Sequence, residues 1–357
     1  MNSKISVRQI CFVMLIYTAV TKFLLYPNIL AYTSGRDLLF PAAITFLIQG
    51  IIVWSVSYLC SRTDKTFFGL LASTFGDVGA RIVYGFFAAF FLLSAIIPLF
   101  EQKLYAHAIF YDTVPSLVIF LPFIFFSVYA ASKSFRNIGR CADICLPVFV
   151  ISMLFIFAMA FPEVKWDDFL PVLKTPAKNV LMPSLTNFFR FPEPCWLLMF
   201  MGHFKYKKGD AAKITLSYAG AAAFVLVMLL AFYGVYGDVA CSRVFAISKI
   251  SLFFSAIDVV GRIDLIALYF LEFTMLFALV LNMQLAVHCI GECSGYKNGA
   301  VLSVAVNLFF IILLFVFDNG FDSLLKFFSQ WMWLPAIIFA TVIPLLCWTL
   351  KKGDKNA

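Results

Sequence analysis

Long runs of apolar residues, separated by short polar stretches, dominate this chain of 357 residues. A transmembrane helix needs about 20 consecutive, mostly apolar residues. The pattern therefore predicts an all-α polytopic membrane protein, folded as a single integral membrane domain over residues 1–357. About ten spans are expected by this criterion, at 10–33, 38–60, 82–108, 116–132, 141–162, 182–203, 213–236, 264–290, 299–317 and 330–350.

Three of the connections between the predicted spans are long enough to contain structure of their own. They cover 61–81, 163–181 and 237–263. In the first, apolar residues recur at helical spacing, which predicts a helix lying on the membrane surface. Residues 239–260 have a similar pattern and predict a second surface helix that caps the opposite mouth of the protein.

The composition supports a membrane location and sets an orientation. Hydrophobic residues make up 63% of the chain and charged residues 13%, against about 45–50% and about 25% in ordinary globular domains. The net charge of +8 does not indicate nucleic-acid binding, because the basic residues lie in short loops between spans. About 16 of them fall on one side and about 8 on the other, so the positive-inside rule predicts two cytoplasmic termini.

Catalytic and cofactor chemistry are not expected. The sequence has no phosphate-binding glycine loop of the Walker type, and no polar region is long enough to hold a nucleotide or a catalytic triad. Nearly all of the nine cysteines fall in or beside spans, where they act as small hydrophobes rather than as disulfides or metal ligands. We therefore expect neither an enzyme nor a bound cofactor or metal.

Proline interrupts two of the spans at matching positions. The ten spans divide into two sets of five, repeat one at about 10–162 and repeat two at about 182–350. The first span of repeat one contains Pro27, and the first span of repeat two contains Pro192 and Pro194. Proline lacks an N–H group and clashes with the preceding turn. Interrupted helices at matching positions of two halves indicate a transporter-type binding site near the bilayer midplane.

Charged residues within the spans identify the candidate site residues. Each costs several kcal/mol in lipid and needs a partner or a function. Lys22 lies about 12 residues into its span, or roughly 18 Å, and the depths of Glu193 and Glu272 are also compatible with the central layer. We predict a central ligand site made by Lys22, Glu193 and Glu272, with Arg190 beside it and Glu101 toward the outer vestibule.

Two other interpretations of the central charges remain open. Lys22 and Glu193 could form a structural ion pair that holds the two interrupted helices together. Alternatively, the ammonium group of Lys22 could permanently occupy the place of a coupling cation in a transporter fold.

Five stretches, in order along nearly the whole chain, carry a family resemblance. They are YPNILAYTSGRDLLF at 26–40, RNIGRCADICLP at 136–147 with Arg140, Asp143 and Pro147, DFLPVL at 168–173, FPEPCWLLMF at 191–200, and VVGRIDLI at 259–266 with Arg262 and Asp264. With these motifs the chain resembles the permease-like B-subunit family of spore germinant receptors. That family belongs to the amino acid–polyamine–organocation transporter superfamily.

The resemblance implies two inverted five-helix repeats of the LeuT/APC-like kind, with helices 1 and 6 broken. It also implies a location in the spore inner membrane and assembly with a larger membrane subunit and a lipoprotein subunit. The implied role is to bind a small nutrient germinant, often an amino acid, and trigger germination. At the expected break in helix 1 the chain has Ala19, Val20, Thr21 and Lys22, where related transporters have small, glycine-rich residues. A secondary amino-acid or cation transporter and a non-binding structural subunit are the alternatives.

Overall fold

The computed structural model describes residues 4–110, 115–170, 173–246, 264–296, 298–317 and 320–350. This part of the chain is almost entirely helical. The helices are α1 (Val7–Val20), α2 (Tyr26–Ser34), α3 (Leu39–Cys60), α4 (Phe67–Phe110), α5 (Ser116–Ala131), α6 (Phe135–Ala160), α7 (Ala177–Thr186), α8 (Glu193–Met199), α9 (Asp210–Tyr236), α10 (Asp264–Ser294), α11 (Gly299–Val316), α12 (Phe321–Phe327), α13 (Trp333–Ile337) and α14 (Ile343–Leu350).

Seven helices in the described residues are long and apolar enough to cross a membrane. They are α3, α4, α6, α9, α10, α11 and the run from α12 to α14, and each overlaps a predicted span, although α4 and the last run begin well before theirs. The predicted spans at 10–33 and 182–203 are each divided into two shorter helices, and α5 has only 16 residues. The all-α membrane fold is thus confirmed, while the number of ten crossings stays a prediction.

The first predicted span breaks where the sequence places Lys22. Helix α1 ends at Val20, and residues 21–25 are not helical. Helix α2 then begins at Tyr26, with Pro27 in its first turn. Proline is well tolerated there, because the first N–H groups of a helix have no partner within the helix. Pro27 therefore starts the second half-helix.

The second break surrounds Glu193. Helix α7 ends at Thr186, a short 3₁₀ turn covers Phe188–Arg190, and α8 begins at Glu193. Pro192 is the N-cap residue of α8, and Pro194 lies in its first turn. All seven residues of α8 are buried. The prolines therefore fix the start of a short half-helix inside the protein.

The two breaks lie inside the bundle. Helix α1 packs against α6, α9 and α10, and α8 packs against α3. Tyr17 and Trp196 make an edge-to-face contact between the two interrupted helices, with ring centroids 6.2 Å apart. Non-helical backbone at membrane depth needs such protein surroundings, since lipid offers it no hydrogen-bond partner.

Three other regions can be compared with their predictions. The predicted surface helix at 61–81 is the first part of α4, which is interrupted at Gly76 (φ 73°, ψ 170°). Most of the predicted helix at 239–260 lies outside the described residues. The last predicted span contains two π-helical turns, Phe328–Met332 and Ile338–Val342, which the apolar pattern did not indicate.

Candidate functional site

Lys22 and Glu193 form an ion pair that joins the two breaks. Nζ of Lys22 lies 2.6 Å from Oε1 of Glu193, and both side chains are 0% exposed. Lys22 also donates a hydrogen bond to Oγ1 of Thr21 at 3.1 Å. Its Nζ lies 4.4 Å from the ring centroid of Phe191, within the range of a cation–π contact. In the described part of the chain, the ammonium group thus contacts Thr21, Phe191 and Glu193, which belong to the two non-helical segments and their ends.

Arg190 and Glu101 form a second buried pair beside the first. Nη1 of Arg190 lies 2.7 Å from Oε1 of Glu101, and the side chains are 3% and 2% exposed. Arg190 precedes α8 by three residues, and Glu101 comes from α4. The pair therefore connects the second break to α4. Charges taken out of water need a close counter-charge, and each of these four charges has one.

Several polar atoms around the pairs have no hydrogen-bond partner in the described residues. They include Nε and Nη2 of Arg190, Oε2 of Glu193 and Nδ2 of Asn282. The hydroxyl of Tyr17 donates to Oδ1 of Asn282 at 2.9 Å, so that amide is only half satisfied. An unmade buried hydrogen bond costs about 1–3 kcal/mol. The site thus offers both donors and an acceptor to a small polar ligand.

The space between the breaks and α4 is very small. The cavity has a volume of about 10 Å³, which is room for about one water molecule. It is lined by Tyr17, Thr21, Ser94, Ile97, Pro98, Phe189, Arg190 and Pro192. The structure is therefore a closed form of the central site, and a larger ligand needs the surrounding helices to separate.

Hydrogen bonds close the predicted outer side of the site. The carboxylate of Asp37 accepts hydrogen bonds from the backbone N–H groups of Leu173 and Thr175 at 2.7 and 2.8 Å. Burial alone would raise the pKa of Asp37, but these hydrogen bonds outweigh it and hold the pKa below its usual value. Nδ2 of Asn28 donates to the carbonyl of Cys241 at 2.8 Å. Helix α2 is thus tied to the connection after α9, and the turn after α2 to the connection before α7.

The N-terminal segment closes the predicted inner side. The N–H of Ile5 donates to the carbonyl of His203 at 3.0 Å, just after α8. Asp143 in α6 accepts from Arg8 at 3.1 Å and from Gln9 at 2.7 Å. Asp143, predicted as part of a structural motif, therefore anchors the start of α1.

The remaining predicted residues lie elsewhere. Glu272 is in the wall of a separate cavity between α5, α6 and α10, so the structure does not bring it to Lys22. Arg140 is exposed and lines the same separate cavity. Asp264 is the first residue of α10, and Arg262 lies outside the described residues. The structure thus brings together Lys22, Glu193, Arg190 and Glu101.

Sequence reasoning did not identify two polar groups near the breaks. Asn282 stands in a largely apolar part of α10, two residues before Gln284, and a buried amide at that depth was a usable signal. No comparable signal in the sequence indicated Tyr17, because an aromatic residue in an apolar span ordinarily packs against its neighbours.

A family comparison decides what kind of protein has this geometry. The family profile described as spore germination protein matches residues 4–322. The chain belongs to the spore germination protein family. No curated protein matches it. This spore germination protein is thus a member of a permease family, in agreement with the resemblance of its motifs.

Solved structures share the architecture of this spore germination protein. The manganese transporter of Eremococcus coleocola in complex with an aromatic bis-isothiourea compound has a TM-score of 0.57 and 12% identity, covering 95% of this chain and 77% of that one. Two single-residue mutants of that transporter give TM-scores of 0.60 and 0.61, at 12% identity and with 97% of this chain and 78% of that chain covered. The germination protein therefore has the LeuT-like transporter fold.

Proposed function

We propose that this chain is the permease-like subunit of a spore germinant receptor and that it binds a small zwitterionic nutrient, such as an amino acid, at the central site. The observation that carries the proposal is the pair of buried ion pairs at the two helix breaks, Lys22–Glu193 and Arg190–Glu101. Charged residues at membrane depth usually mark a ligand or ion site.

The central-site atoms that lack a hydrogen-bond partner in the described residues suit a ligand that carries both a positive and a negative charge. Nε and Nη2 of Arg190 match the two oxygens of a carboxylate, which guanidinium groups bind in a fork geometry. Oε2 of Glu193 matches an ammonium group. A zwitterion would therefore satisfy both ends of the site while leaving the two internal ion pairs in place.

Binding would act through a change of conformation. The central cavity of about 10 Å³ is too small for an amino acid. A nutrient would bind the open form better and shift the population toward it. We propose that partner subunits detect this shift and trigger germination.

The proposed setting follows the family. We place the protein in the spore inner membrane with both termini cytoplasmic, in a complex with a larger membrane subunit and a lipoprotein subunit. Its role would be ligand sensing rather than catalysis. Manganese transport is not part of the proposal, and the residues that the structure describes contain no group of three His, Cys, Asp or Glu side chains placed to hold a metal ion.

Glu193→Gln tests the proposal. We expect spores with this variant to stop responding to one nutrient while the receptor complex still assembles, as shown by co-purification of its subunits. Glu163→Gln is the matched control, because Glu163 is exposed in the connection after α6 and should have no effect. Normal germination of Glu193→Gln spores by every nutrient would refute a ligand role for the central site.

A secondary transporter of amino acids or cations is the second candidate, favoured by the LeuT-like fold. Uptake of a labelled amino acid into proteoliposomes that contain this chain alone would support transport.

A purely structural subunit is the third candidate, since all four central charges are paired internally. Specific thermal stabilisation by any nutrient would refute that role.

A further inference from the structure

A large cavity lies between α5, α6 and α10, away from the central site. Its volume is about 670 Å³, and its lining is mostly apolar and aromatic. Lys133 and Arg140, both exposed, lie in its wall where α5 ends and α6 begins. The part of the wall on α5 includes Phe126 and Tyr129, which are also exposed. The cavity, here called the α5–α6–α10 cavity, thus opens on the surface of the transmembrane bundle.

One face of α10 forms a continuous wall of this cavity. The residues of α10 that line it are Tyr269, Glu272, Phe273, Leu276, Phe277 and Val280. Their spacing of three or four residues is that of a single helix face. The stripe is about 16 Å long, taking 1.5 Å for each helical residue. Glu272 is the one acidic residue in it, near the predicted outer end.

Glu272 is buried without a partner in the described residues. Its side chain is only 8% exposed, and its Oε2 atom accepts no hydrogen bond there. Every other acidic residue of the predicted site has a cation within 2.7 Å. Burial of a carboxyl group without a donor or a counter-charge is costly, and groups in this state generally have a binding role or a bound partner.

The surroundings of Glu272 favour a cation with an apolar body. A carboxylate pairs with an ammonium group, and the rings of Phe120, Phe123, Phe273 and Phe277 provide π faces and edges in the same cavity. The rest of the lining would bury hydrocarbon at about 25 cal/mol per Å². A small, fully hydrated ion would gain nothing from that lining. An apolar ligand without charge would leave Glu272 unsatisfied.

We propose that the α5–α6–α10 cavity is a second ligand site, which binds a lipophilic primary ammonium compound through Glu272. The ammonium group donates to the carboxylate of Glu272, and the hydrocarbon part fills the aromatic cavity. Because the cavity opens on the membrane-facing surface, the ligand enters from the bilayer. This site is independent of the central pairs and of the nutrient that they bind.

The test measures binding of 4-phenylbutylammonium to the full chain in lipid nanodiscs by calorimetry, with empty nanodiscs subtracted. Its neutral isostere, 4-phenylbutanol, serves as the comparison. We expect the ammonium compound to bind at least ten-fold more tightly than the alcohol. Glu272→Gln should weaken ammonium binding at least ten-fold and remove the preference. Glu292→Gln, an exposed carboxyl group near the other end of α10, should leave both affinities unchanged.

Two further variants keep the test decisive. Leu276→Trp fills the same stripe without touching the charge and should block ammonium binding even where Glu272→Gln fails to fold. Glu193→Gln should leave it intact. The proposal is overturned by equal affinities for the ammonium compound and the alcohol, by unchanged binding in Glu272→Gln or Leu276→Trp, or by a loss confined to Glu193→Gln, which would assign the ligand to the central site.

Discussion

The Lys22–Glu193 pair makes a strong quantitative prediction about stability. Both side chains are 0% exposed, and Nζ and Oε1 are 2.6 Å apart. Removing one member of a buried pair leaves the other charge uncompensated, which typically costs about 3–5 kcal/mol. We therefore expect Lys22→Met and Glu193→Gln each to lower the free energy of unfolding by this amount. The double variant leaves neither charge without its partner. Its loss of unfolding free energy should therefore be smaller than the sum of the two single losses, by a coupling energy of about 3 kcal/mol.

The assay is SDS titration in mixed micelles, with helix content followed by far-UV circular dichroism. The surface pair of Arg8 and Asp143 provides the control, because its side chains are 69% and 28% exposed. Water screens such a pair, so Asp143→Asn should cost no more than about 1 kcal/mol. The reasoning is refuted if the losses of Lys22→Met and Glu193→Gln are additive within about 0.5 kcal/mol, the margin for independent sites. A loss for Asp143→Asn equal to that of Lys22→Met would also refute it.

Two further predictions concern a cation and a proton. If Lys22 stands in for a coupling cation, Lys22→Met spores should respond to nutrient only when Na⁺ or another small cation is added; a response independent of added cations would contradict the stand-in role. The depressed pKa of Asp37 contributes stability that is fully present above about pH 4 and is lost as the pH falls through the folded-state pKa. Asp37→Asn should therefore lower the melting temperature more at pH 7 than at pH 3, and an equal loss at both values would show that the charge of Asp37 is irrelevant.

The sequence was informative about depth along a helix and about chain breaks. Pro27, Pro192 and Pro194 predicted two interruptions, and the structure has both. Counting residues from the span ends placed Lys22 and Glu193 in one layer, and their side chains meet there. Proline chemistry and the rise per residue are local properties, which is why the sequence alone could supply them.

Rotation about the helix axis was not predictable in the same way. Glu272 lies at a suitable depth, but its face of α10 points to a different cavity. The pairing of Arg190 with Glu101 also depends on how α4 is rotated. Which side of a helix faces the central site is determined by its packing against all of its neighbouring helices. An almost uniformly apolar helix has little amphipathic pattern from which to derive it.

If the central site binds a nutrient as proposed, its closed cavity sets a threshold in nutrient concentration. With room for about one water molecule, it must open before a nutrient can enter. The apparent dissociation constant is then the intrinsic one divided by the fraction of open protein. An opening cost of about 2 kcal/mol would weaken the apparent affinity about 30-fold. A dormant spore with such a receptor would not respond to trace concentrations of the nutrient and would germinate only at high concentrations.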